Sequence, residues 1–333
     1  RSKVQFDFLI DSDSSLVPRE EIESLGGRIF EIPPYQHVVA YQRELHRLFK
    51  QEGWKIVHSH INALSVFPLR AAKKAGVPVR IAHSHSASGK GEYAKNALKA
   101  VLKTQSNRYP THRFACSKFA GDWLFGTSAQ FTVMRNAIDL SLFAPDEEDR
   151  LKTRRSLGVA DNQLLIGHIG RFTEQKNHSY LLEIFDQVLK IRKNAVLVLV
   201  GSGPLVEQIK DQANCLGISH SVQFLGTRSD AASLYRAFDV FCLPSLYEGL
   251  PMVGVECQAS HTPILASDAV TSETAVTSMM QFEPLSSSCL KWAERLIELS
   301  KKVCAPGDDA GLQVFEIDAA ARVLLDCYMS YLG

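Results

Sequence analysis

Glu248 and Glu256 lie either side of a glycine–proline turn in Pro244-Ser-Leu-Tyr-Glu-Gly-Leu-Pro-Met-Val-Gly-Val-Glu256. The apolar run 238–243 predicts a buried strand, and Pro244 and Ser245 stop it. Gly249 permits close backbone approach to a ligand, and Pro251 suits the first turn of a helix. Glu248 is thus expected in the loop and Glu256 inside the new helix. Leu250 and Met252 stand at its start, where unbonded backbone N–H groups can hold an anion. An anion site flanked by two carboxylates offers donors to phosphate and acceptors to hydroxyls, which is the chemistry a sugar nucleotide needs.

The stretch resembles the Glu-x7-Glu signature of retaining glycosyltransferases of family 4, which have the GT-B fold. A second match is Gly170-Arg-Phe-Thr-Glu-Gln-Lys-Asn-His178, directly after the apolar run 164–169. A third is Asn136-Ala-Ile-Asp139 followed by Phe143 and Pro145, similar to the segment where the family's interdomain linker begins. Together they span nearly the whole chain, and it looks most like bacterial members that build capsular or exopolysaccharides.

The resemblance implies an α/β chain of two Rossmann-like, doubly wound parallel-sheet domains facing a cleft. The expected domains are 1–145 on the acceptor side, 146–310 for the nucleotide sugar, and a C-terminal helix 311–333 that crosses back. Family members carry a further strand and a glycine-rich loop ahead of the segment matching 4–10, and neither precedes it here. The expectation is a fragment, or a protein that has lost part of its site.

Carried over residue by residue, the resemblance gives a donor site of Gly170, Arg171, Lys176, Arg228, Glu248, Gly249, Leu250, Pro251, Met252 and Glu256. Arg171 and Lys176 would grip the donor diphosphate, Glu248 would orient the sugar, and Glu256 would take the ribose hydroxyls. With the helix start at 249–252 they would stabilise the leaving group without a divalent cation, so no metal and no cofactor is expected. Both glutamates fall on the donor side, which fits front-face attack better than the double displacement of retaining glycosidases.

The elements that position these residues follow from alternating apolar runs. Strands are expected at 4–10, 28–32, 55–59, 79–83, 114–117 and 131–134 in the first half, then at 164–169, 195–200, 222–225, 240–243 and 264–266. First-half helices are expected at 35–51, 63–74, 92–105 and 119–125. Such alternation means parallel, doubly wound sheets, with ligands beyond the C-terminal strand ends. The stretch 145–155 reads as the join between domains.

Two echoing triplets, His58-Ser-His60 and His83-Ser-His85, each close an expected strand, so both histidines of a triplet share a face. Family members place a histidine near the sugar at the second position, and the sequence leaves His83 and His85 both open. A metal site from all four has no carboxylate or cysteine pattern behind it, and the best account of His58 with His60 is polar residues at a loop. Gly201-Ser-Gly203 follows a strand, but the third position of a dinucleotide fingerprint would be Val206, which argues against hydride transfer. Arg228 reads equally as a nucleobase-side residue or a plain surface arginine.

Composition sets the frame. The 333 residues are 45% hydrophobic, enough for two cores. Residues 1–130 carry 19 lysines and arginines against 11 acidic residues, and 131–333 carry 18 against 25. Part of the basic excess is a stripe of Lys95, Lys99 and Lys103 at helical spacing, either a solvated face or a surface for anionic lipid. Seven scattered cysteines, with no membrane-length apolar run and no secretory segment, point to a reduced cytoplasmic setting, peripheral to the inner face of the plasma membrane if the stripe binds lipid. No nucleic-acid motif is present.

The reading is therefore a transferase moving a hexose or N-acetylhexosamine from a nucleotide sugar, UDP-linked, to a saccharide or lipid-linked saccharide. The alternatives are a GT-B-like nucleotide-sugar epimerase and a non-catalytic nucleotide-sugar-binding member. Donor sugar, acceptor, linkage and oligomeric state lie beyond the sequence.

Overall fold

The computed structural model describes residues 4–14, 17–85 and 100–333. It divides into two compact units. Unit 1 takes the described residues up to His85, those from 100 to Met134, and Ala321–Gly333; unit 2 takes Arg135–Ala320.

Unit 2 is built on one parallel sheet of β7 (Leu165–Ile169), β8 (Val196–Val200), β9 (Val222–Phe224), β10 (Val240–Leu243), β11 (Ile264–Ser267) and β12 (Met280–Glu283), in the order β12-β11-β10-β7-β8-β9. Every residue of β8, β10 and β11 is buried, as in a sheet covered on both faces. Helix His178–Ile191 buries Leu181, Leu182, Phe185 and Val188, a stripe at helical spacing. Helix Cys289–Leu299 packs against it, presenting Trp292, Ala293, Leu296 and Leu299 to the same core. β12 is a strand that the sequence pattern missed, because Met-Gln-Phe-Glu carries no run of branched residues.

The stretch expected as the interdomain join folds instead as helix Glu147–Ser156 within unit 2. Asp146 caps it, three acidic residues fill its first turn and two arginines its last, matching the helix dipole. Arg150 and Arg154 then reach into unit 2. Arg154, 1% exposed, donates to the carbonyls of Ala237, Ala160 and Gln163 and to Asp239.

In unit 1 the strands form two sheets rather than the single one expected. β1 (Asp7–Asp11) pairs in parallel with β2 (Arg28–Ile32), while β3 (Ile56–Ser59), β4 (Val79–Ser84), β5 (His112–Ala115) and β6 (Thr132–Val133) form a four-stranded parallel sheet in that order. Among the described residues no strand pairs with the outer edge of β1 or of β3. A cavity of about 720 Å³ lies beside both, lined by residues such as Phe6, Phe8, Ile10, Ile56, His58 and Tyr328. Helix Val38–Glu52 buries Tyr41, Leu45, Leu48 and Phe49 and ends at Gly53, whose φ of 64° supplies the left-handed cap.

Candidate functional site

The sheet of unit 2 reverses direction at β7 and β10. The chain moves outward from β7 through β8 to β9, then returns to the other side for β10, β11 and β12. Loops leaving the C-terminal ends of β7 and β10 therefore diverge, and the crevice between them is where a parallel sheet binds ligands. Glu248 and the Arg171–Lys176 segment fall on these two loops, and Glu256 in the helix that the β10 loop leads into.

Backbone and amide bonds hold the loops together. Leu246 N donates to the carbonyl of Gln175 at 2.8 Å, and the Asn177 side chain donates to the carbonyl of Pro244 at 3.2 Å. Asn177 has φ 54°, which turns the chain from the short 3₁₀ turn Glu174–Lys176 into helix His178–Ile191. On this frame Lys176 Nζ donates to Glu248 Oε1 at 2.6 Å. Gln175 Nε2 donates to Glu248 Oε2 at 3.2 Å and to the carbonyl of Tyr247 at 3.1 Å. The ion pair is largely withdrawn from water, with side chains 15% and 9% exposed.

Glu256 lies in helix Met252–Ala259, over a turn beyond Pro251. Tyr235 Oη donates to Glu256 Oε2 at 2.6 Å. Burial raises the Glu256 carboxyl above the usual range, while the Tyr235 hydroxyl and the Lys176 ammonium pull it back down. Lys176 thus acts on both carboxylates. Pro251 sits at the N-cap rather than in the first turn, and makes no side-chain cap hydrogen bond. Leu250 and Pro251 are buried and Met252 is partly exposed. Arg171 is exposed, and its guanidinium has no hydrogen-bond or ion-pair partner among the described residues.

Gly170 packs so closely that a Cβ there would approach His168 Nε2 at 2.9 Å and Lys176 Cε at 3.2 Å. Gly201 has φ 134°, and a Cβ would lie 2.1 Å from the carbonyl oxygen of Gly170. The glycines after β8 thus serve to seat one loop backbone against another. Gly201 N also donates to the carbonyl of Gly226, tying in the loop that carries Arg228. Arg228 is held by Asp230 in a two-pronged ion pair, 2.8 and 2.5 Å, with both side chains 40% exposed.

Sequence reasoning passed over Gln175, Tyr235, His168 and His178. His168 Nδ1 binds the carbonyl of Cys242 at 2.8 Å, and His178 stacks on Phe172 with ring centroids 4.1 Å apart. Both histidines are buried and their pKa values pushed down by burial, so they stand neutral behind the loop. Gln175 lies inside a motif already singled out. Tyr235 had no local signal, since its role comes from packing beside Glu256.

His83 and His85 belong to unit 1, at the end of β4. The register pairs His58 with Ile81 and Ser59 with Ala82, which puts His58, His60, His83 and His85 on one face. His58 Nε2 and His83 Nδ1 are 3.1 Å apart, and His60 Nδ1 and His85 Nε2 are 2.8 Å apart. Burial pushes His83 down to about 2 and His60 to about 4, so both are neutral at physiological pH. Lys95 and Lys99 lie outside the described residues. Lys103 Nζ sits 5.1 Å from the Trp123 ring centroid, so it is engaged with its own fold. No described helix is long and apolar enough to cross a membrane.

Residues 149–279 match the family of glycosyl transferases group 1, and residues 1–136 match the glycosyl transferase 4-like domain. A putative glycosyltransferase, EpsF of Bacillus subtilis, is 38% identical over 310 residues, covering 89% of this chain and 80% of that protein. The UDP-Gal:alpha-D-GlcNAc-diphosphoundecaprenol alpha-1,3-galactosyltransferase of Escherichia coli is 28% identical over 234 residues, covering 67% and 60%. Among solved structures, Alr3699/HepE of Anabaena in complex with UDP superposes with a TM-score of 0.77 at 19% identity, over 98% of this chain and all of that one. At that identity the likeness bears on the fold, which is GT-B, α/β with two Rossmann-like domains. The chain therefore belongs to the group 1 glycosyl transferases and is an enzyme of glycosyl transfer.

Proposed function

We propose that the chain transfers a hexose or N-acetylhexosamine from a UDP-linked donor, with retention of configuration, to a saccharide or lipid-linked saccharide in cell-surface polysaccharide synthesis. The observation that carries this is the ion pair of Lys176 with Glu248 at the switch point of the unit 2 sheet, beside the half-buried Glu256. The Escherichia coli relative, named for UDP-Gal and a GlcNAc-diphosphoundecaprenol acceptor, and the structural neighbour with UDP support the donor and acceptor classes.

The chemistry follows from the side chains. Arg171 has no competing partner among the described residues and Lys176 is held by Glu248, so two cations would face a departing diphosphate. Glu256 Oε2 is occupied by Tyr235, which leaves Oε1 to accept from ribose. Glu248 would orient the sugar. As the anomeric C–O bond breaks, its electron pair goes to the leaving phosphate oxygen. The acceptor hydroxyl attacks from the same face and its proton passes to that oxygen. In unit 1, His83 is the candidate for a substrate hydroxyl, since its Nε2 is buried without a partner.

Calorimetric titration with UDP, GDP and ADP in the absence of divalent metal tests the donor. Selective UDP binding supports the reading, and equal or absent binding refutes it. Donor turnover that requires an added saccharide separates the transferase from an epimerase, which would consume donor alone.

A further inference from the structure

Four histidines crowd one face at the C-terminal ends of β3 and β4. Their ring centroids stand 4.1 Å apart within each triplet and 5.1–5.2 Å apart across the strands for His58–His83, His60–His83 and His60–His85. A parallel sheet offers this only where two His-x-His segments pair nearly in step. Among the described residues the side-chain hydrogen-bond partners of His58, His60 and His83 are other imidazoles and the Tyr328 hydroxyl, with no carboxylate. Each cross-strand pair meets through one close contact, His58 Nε2–His83 Nδ1 at 3.1 Å and His60 Nδ1–His85 Nε2 at 2.8 Å. His83 is 4% exposed, so the His58–His83 contact lies inside the fold.

From this arrangement we infer that His58, His60 and His83 form a binding site for a zinc ion. One ring nitrogen of each lies within 4.8 Å of the other two. Zinc held at about 2.0–2.1 Å in tetrahedral geometry needs ligand nitrogens about 3.3 Å apart. The His58–His83 pair, at 3.1 Å, already meets that spacing. His60 Nδ1 stands 2.8 Å from His85 Nε2 and would exchange that contact for the ion. His58 Nδ1 lies 2.6 Å from Tyr328 Oη, so an Nδ1–H donated there leaves Nε2 as the ligand and fixes the ring. Imidazole donors without thiolate or carboxylate suit zinc over calcium or magnesium, and a water would take the fourth position.

The ion would engage His83, the residue offered above to a substrate hydroxyl, but the site stands on ring geometry and not on the transferase reading. Its test therefore uses binding and not turnover. The full chain is dialysed against Zn²⁺ alone and bound metal is counted. Co²⁺ is then substituted to read ligand-field absorption of a tetrahedral nitrogen site. The expected result is one equivalent of zinc, weakened at least about tenfold in His60→Gln and in His58→Gln. His261→Gln, which disrupts the exposed His261–Cys304–Asp309 group, serves as control and should retain it. Circular dichroism establishes that each variant is folded. No zinc on the wild-type chain, His60→Gln binding like wild type, or loss only in His261→Gln would each overturn the inference.

Discussion

Replacing Lys176 with alanine separates the electrostatic account from a merely structural one. In the structure Lys176 Nζ contacts Glu248 Oε1 at 2.6 Å, with the carboxylate side chain 9% exposed. Breaking a fully buried pair by removing one partner costs about 3–5 kcal/mol. Here Gln175 still donates to Oε2, and the lysine is itself partly hydrated, so about 2 kcal/mol is the working figure, or a melting shift of about 4–8 °C for a unit of this size. The functional loss should be larger. A charge-assisted bond to diphosphate is worth about 1.5–3 kcal/mol, weakening UDP by roughly 10- to 100-fold, and turnover should fall about 10²- to 10³-fold. Glu248→Gln is the contrasting variant. It frees Lys176 from its carboxylate, so UDP affinity should hold or rise while turnover falls. Calorimetry with UDP, thermal melting and UDP release would be measured on both. If Lys176→Ala kept UDP affinity and turnover within about twofold, the lysine would play no part at the diphosphate.

Tyr235→Phe removes the hydrogen bond that lowers the Glu256 pKa, so that carboxyl should rise further. UDP binding needs the carboxylate and is expected to fail as pH drops through the raised value; the failure should begin at higher pH in the variant. The unliganded fold should show the opposite sign, because a raised carboxyl contributes stability below its unfolded pKa that is lost as pH rises through the folded one. Melting and UDP titration across the acid range check both. Gly201→Ala places a Cβ 2.1 Å from the Gly170 oxygen at φ 134°, and should cost about 3 kcal/mol and weaken UDP by displacing the loop; an unchanged melting temperature would refute the backbone contact. Arg154→Ala removes four bonds around a side chain 1% exposed. It should destabilise unit 2 by about 3–5 kcal/mol in denaturant unfolding.

The unit 2 strands were legible because fully buried parallel strands are runs such as Val-Leu-Val-Leu-Val, which need no partner to be recognised. The two loop motifs were legible for the same local reason: each follows such a run directly, and Lys176, Glu248 and Glu256 are fixed by spacing within their own segments. Less was legible where the pattern was mixed. The strand Met280–Glu283 has no apolar run, and 145–155, rich in charge, read as a join although its charges are arranged to suit a helix dipole.

Tertiary structure alone decided the long-range pairings. Lys176 and Glu248 meet across the sheet's reversal, 72 residues apart, and Tyr235 reaches Glu256 from a neighbouring helix. The division of unit 1 into two sheets, and the alignment of His58 and His60 beside His83 and His85, depend on which strand edges pair and in what register. A sequence specifies the period of each strand, and hence which residues share its face. Which strand lies beside it, and in what step, is set by the packing of the whole unit.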